Sequence, residues 1–109
     1  MKRQKLIGNM TFEVIKEDDM GRTWKITQND TKQYAIITVS NVAEISFEMH
    51  AKKFEYSKAL DGLVQLEKRT LSMNVDKKRE EYKRVIERTK SFIKVPCSGV
   101  SFQIYYLKP

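Results

Sequence analysis

A chain of 109 residues with 40% hydrophobic and 32% charged side chains is long enough for one modest core and too evenly mixed to be a disordered tail. No apolar run approaches the roughly 20 residues of a membrane-spanning helix, and the basic start Met1–Lys5 leads only into Leu6-Ile7 before Gly8-Asn9, far short of a signal peptide's apolar region. The formal net charge of +7 favours polyanionic partners: nucleic acid first, then an acidic protein surface or an anionic membrane.

In chain order, Met10-Thr11-Phe12-Glu13-Val14-Ile15-Lys16 alternates apolar and polar, the period of a half-buried strand. Asp18-Asp19-Met20-Gly21 reads as a turn in which Gly21 is free to take positive φ. Arg22–Thr27 resumes the alternation with Trp24 and Ile26 on one face, and Asn29-Asp30-Thr31 turns the chain again. Tyr34–Val39 is nearly continuous apolar and β-branched, which predicts a central strand buried on both sides.

Residues 41–55 admit two readings. As a strand, Ala43, Ile45, Phe47, Met49 and Ala51 share one face; as a helix, Asn41 and Glu44 form a capping box. The strand is preferred because a helix throws Phe47 and Phe54 off the apolar side.

From Tyr56 the period becomes helical. Tyr56, Ala59, Leu60, Leu63, Val64, Leu66 and Leu71 gather on one side, and Gly62 falls on the polar side. After the break at Ser72-Met73-Asn74, a second helix carries Val75, Tyr82, Val85, Ile86, Thr89, Phe92 and Ile93 inward, until Val95-Pro96 ends it. Val100–Tyr106 alternates once more. The expected architecture is therefore one α+β domain over residues 1–109: a mostly antiparallel sheet of four to five strands, order ββββααβ, covered on one face by an α-helical hairpin. The expected core is Phe12, Val14, Ile26, Ile36, Ile45, Phe47, Leu60, Leu63, Leu66, Tyr82, Ile86, Phe102 and Ile104.

The sequence offers little for catalysis. The single cysteine, Cys97, excludes an internal disulfide and fits a reducing cytoplasm. With His50 it makes a nucleophile pair only if the fold unites them. There is no C-x-x-C or H-x-x-x-H spacing for zinc, no phosphate-cradling glycine loop and no nucleophile elbow. Glu13, Lys16, Asp18 and Asp19 make a conceivable metal-binding acidic cluster, but an aspartate-rich turn accounts for the last two. A protein without enzymatic activity, metal or cofactor is the expectation, with a metal-independent ribonuclease as a distant third reading.

The second helix is the natural anion-binding element. Lys77, Arg79, Lys83, Arg84, Arg88 and Lys90 are its candidate phosphate contacts, yet Asp76, Glu80 and Glu87 lie among them at salt-bridge spacing, as on an ordinary solvated helix. Trp24, Tyr34 and Tyr105 are the candidate stacking planes for bases, Trp24 foremost. The leading expectation is a small regulator contacting nucleic-acid phosphates. The alternative is a protein–protein effector or inhibitor, of the kind phages direct at host proteins, that binds an acidic surface. A sheet edge left open by the meander also allows a homodimer.

Overall fold

The computed structural model describes residues 4–41, 45–49, 51, 53–67, 80–91 and, by their backbone, 102–106. Strands β1 (Gln4–Ile7), β2 (Met10–Asp18), β3 (Gly21–Gln28), β4 (Tyr34–Ser40) and β5 (Ile45–Met49) run as a meander. Helix α1 (Tyr56–Leu66) and helix α2 (residues 80–90) follow, and the chain returns in β6 (Phe102–Tyr106). All six strands form one antiparallel sheet in sequence order, β6 pairing β5 with Ile45 opposite Tyr106 and Met49 opposite Phe102. The α+β architecture agrees with the sequence pattern, with one strand more before the helices than expected.

That extra strand is β1. Its residues do not alternate, and three of the four are exposed, so no period announces it. It is held by ladder pairing through a two-residue turn, Ile7 lying opposite Met10.

Alternation elsewhere sorts the sheet into two faces. Met10, Phe12, Trp24, Ile26, Ala35, Ile37, Val39, Ile45, Phe47 and Met49 are buried, and register puts them on one side: Phe12 faces Ile26, Trp24 faces Ile37, and Ile37 faces Phe47. On that side α1 contributes Tyr56, Ala59, Leu60, Leu63 and Val64, and α2 contributes Tyr82 and Ile86, to the same core. Fully burying a leucine such as Leu60 or Leu63 is worth about 1.5–3 kcal/mol. Burial, and secondarily the charge of Glu81, push the Tyr82 phenol above its ordinary range.

The two-sided burial expected of Tyr34–Val39 is not observed. Ile36 is half-buried on the opposite face and Tyr34 is exposed, because among the described residues no element covers that face. Val14 and Leu66 are partly buried against the core rather than within it. Phe102 and Ile104 were expected there too; their side chains lie outside the described residues.

Residues 45–49 form a strand, as the alternation of Ile45, Phe47 and Met49 requires. Phe54 then turns inward, packing its ring 4.7 Å from that of Tyr56. The Tyr56 hydroxyl donates to the Ala51 carbonyl at 2.8 Å and accepts from its amide at 3.1 Å, so this buried phenol is satisfied. At the start of α1 the Glu55 amide donates to the Gln28 side-chain carbonyl at 3.0 Å, tying the helix N-terminus to β3. Gln28 also donates to Asp30, and this bond, followed by one from Asn9, holds the Asp30 carboxyl below its usual range.

Two glycines are demanded by packing. Gly21 has φ +155, and a Cβ there would run into the Val39 carbonyl and come within 2.7 Å of Ser40 Cα. Gly62 does not face solvent as the helical wheel suggests. It is buried, and a Cβ would collide with the Phe12 ring, 2.9 Å from Cε2 and closer still to Cζ. Wheel geometry misplaces it because α1 settles so low on β2 that the contact zone includes this flank.

Among the described residues no helix is long and apolar enough to cross a membrane. The low seating of α1 makes a direct prediction. Gly62→Ala gains about 1 kcal/mol of helix propensity but overpacks Phe12, so a net loss of about 1–2 kcal/mol is expected in urea unfolding. An unchanged or raised midpoint contradicts the close approach.

Candidate nucleic-acid interface

The candidate residues are best taken from the sheet outwards. Trp24 lies on the helix-covered face of β3, two residues from Ile26, and is only 6% exposed. Its indole N–H donates to Glu67 Oε2 at 2.8 Å. Arg22, next on the same face, donates from Nε to Oε2 at 2.6 Å and from Nη2 to Oε1 at 2.5 Å. This is the two-pronged geometry that suits a guanidinium and a carboxylate. Arg22 Nη1 also stands 3.5 Å from Glu17 Oε2. The hydrogen bond to Glu67 is the main reason the Arg22 guanidinium sits above its ordinary range, burial working against it. Lys5 and Leu66 complete the walls of a recess of ≈ 270 Å³ beside this cluster.

The expected stacking role of Trp24 therefore does not fit its position. Its ring is packed in the core and its polar edge is committed to Glu67. The signal was present in the alternation, since a residue that shares a face with Ile26 faces the core whenever Ile26 does. Glu67 itself was missed. It falls one turn beyond Leu63, on the inner side of α1, where a carboxylate survives at 5% exposure only because three donors meet it.

The basic residues of α2 divide into two pairs. Lys83 is drawn to α1, its Nζ 3.5 Å from Asp61 Oδ2, and Lys90 to its own helix, 3.4 Å from Glu87 Oε2. Arg84 and Arg88 lie one turn apart and are exposed; among the described residues neither is in an ion pair. Lys77 and Arg79 lie outside the described residues, as do His50, Cys97 and the Tyr105 side chain.

Asp18 is engaged locally. Its Oδ1 accepts from the Met20 amide at 2.8 Å and the Gly21 amide at 3.2 Å, the turn-forming role that aspartate commonly takes. Among the described residues no group of three or more His, Cys, Asp or Glu is arranged to hold a metal ion.

The face of the sheet that no element covers among the described residues has a different chemistry. Thr11, Thr23, Thr27 and Thr38 stand on it, with Thr11 opposite Thr27 and Thr23 opposite Thr38, whose hydroxyls are 3.2 Å apart. Lys16 lies opposite Thr23 past a bulge in β2, Glu13 lies opposite Lys25, and Glu48 lies opposite Ile36. Tyr34 is 37% exposed, with Lys25 Nζ 4.7 Å from its ring centroid.

Comparisons of the chain with protein-family models, with curated proteins and with solved structures give no match.

The Glu67 cluster is open to a direct test because Trp24 is the single tryptophan of the chain. Glu67→Gln is expected to lower unfolding free energy by about 3 kcal/mol, the low end for one partner of a buried pair, since Arg22 retains some access to water. The same substitution should shift the native emission of Trp24. Unchanged stability with unchanged emission contradicts the described cluster.

Proposed function

We propose that this chain is a non-catalytic binding protein whose partner is a polyanion, nucleic acid foremost, held chiefly through phosphates. The distribution of charge supports the reading. Lys and Arg number 21 against 14 Asp and Glu, and between residues 68 and 79 five Lys and Arg meet one acid. Helix α2 adds Arg84 and Arg88, both exposed and, among the described residues, in no ion pair. Concentrated positive charge is what phosphate neutralisation uses. The lone Cys97 is in keeping with a reducing compartment such as the cytoplasm.

A second reading, an acidic protein surface as partner, draws on three exposed apolar side chains: Leu6, Ile15 and Met20, at 69%, 49% and 75% exposure. Protein interfaces depend on a few such anchors, whereas phosphate binding is spread over many cations.

The two readings separate in a salt titration of fluorescence anisotropy with labelled single-stranded and duplex nucleic acid. Micromolar or tighter binding near physiological salt is expected, falling steeply with log[salt]. The double variant Arg84→Gln/Arg88→Gln should flatten that slope by roughly 1.4–1.8, two phosphate contacts' worth, while Lys83→Gln, already paired with Asp61, should leave it nearly unchanged. Absence of binding at low salt contradicts the polyanion reading and transfers the charge to a protein partner.

A further inference from the structure

We propose that Met20 is a site of reversible oxidation, its thioether converted to the sulfoxide by a peroxide while the protein stays folded. The inference is independent of the polyanion reading and concerns the tip of the β2–β3 hairpin.

Three methionines fall among the described residues, and the fold separates them. Met10 and Met49 belong to the core, at 3% and 0% exposure, whereas Met20 is 75% exposed. Asp18 lies opposite Gly21, so Asp19 and Met20 form the tip of the hairpin. The methionine sulfur is polarizable, and its oxidation follows the access that an oxidant has to it.

The step consumes one peroxide. A lone pair on Sδ attacks a peroxide oxygen, and the S–O bond forms as the O–O bond breaks. The departing hydroxide takes the proton of the transferred oxygen and leaves as water. Sulfur loses two electrons and the peroxide gains them. The reverse step consumes two thiols, which become a disulfide while the sulfoxide oxygen leaves as water.

The turn does not depend on the side chain that is oxidised. The Met20 amide donates to Asp18 Oδ1 at 2.8 Å, and the Met20 carbonyl accepts from the Asn41 amide at 2.8 Å. Asn41 Nδ2 donates to the Asp19 carbonyl at 2.6 Å, which ties the tip to the residue after β4. A sulfoxide at Met20 therefore adds a polar group where water already reaches, and these bonds are kept. At Met10 or Met49 the same oxygen would enter an apolar core without a partner, which burial opposes.

What oxidation changes is the surface. Met20 is the apolar member of a run that begins Glu17-Asp18-Asp19. Leu6 and Ile15 are also exposed, but of the three only the methionine loses its apolar character to a peroxide and recovers it from a thiol.

The test treats the folded full chain with hydrogen peroxide and follows oxygen uptake by mass spectrometry of tryptic peptides. Leu6–Lys16, Glu17–Arg22 and Gln33–Lys52 each carry one of the three methionines. Met20 is expected to oxidise at least about tenfold faster than Met10 or Met49, and the difference should vanish in urea, where burial no longer protects. Circular dichroism and Trp24 emission should not change as Met20 is oxidised. The two methionine sulfoxide reductases, one for each sulfur epimer, should restore the original peptide with a dithiol as reductant. Equal rates at the three methionines of the folded chain overturn the inference. So does a difference that persists in urea, a loss of the folded spectra when Met20 alone is oxidised, or a Met20 sulfoxide that the reductases leave in place.

Discussion

The carboxylate of Glu67 accepts three hydrogen bonds from two residues of one strand, Arg22 and Trp24, and so determines where α1 ends. The helix is pinned at two further points. Its start is tied to β3 through Gln28 and the Glu55 amide, and its middle rests on Phe12 where Gly62 lacks a side chain. Three fixed points along eleven residues leave α1 one position over the sheet. The buried pair itself contributes little net stability, because removing both charges from water offsets much of their attraction. What it supplies is geometry, since any displacement of α1 leaves a carboxylate in the core without its donors.

That constraint decides what faces solvent. With α1 and α2 both settled into one core, the side chains on the other side of the sheet are covered by no element among the described residues. The division is chemical as well as geometric: apolar side chains dominate the covered side, and threonine, lysine, glutamate and tyrosine the other, with Ile36 the exception.

Much of this was legible in the sequence wherever a period could be read. Alternation marks β2, β3 and β5, a continuous apolar and β-branched run marks β4, and the helical stripe from Tyr56 marks α1 with its inner residues. The failures occur where the determining partner is distant. β1 carries no period and exists by pairing with β2. Ile36 looks like core because Tyr34–Val39 is apolar throughout, yet burial on both sides needs a second layer, which no local pattern reports. Gly62 reads as solvent-facing because a helical wheel carries no information on how low the helix sits. Trp24 reads as a stacking plane by residue type, although its alternation with Ile26 puts it on the core face. Among the basic residues, the sequence could supply their number but not their engagement: the Lys83 contact joins two helices and is separated from Asp61 by 22 positions.

The helices close one face of the sheet around the Glu67 cluster, and the proposed polyanion contact lies at the exposed basic residues of α2. An amide-resolved NMR titration with a short oligonucleotide tests it most directly. Shifts are expected around Arg84 and Arg88, with the Trp24 indole N–H unmoved. Shifts centred on the Trp24 indole and Glu67, or confined to the acidic turn at Glu17–Met20, would contradict it.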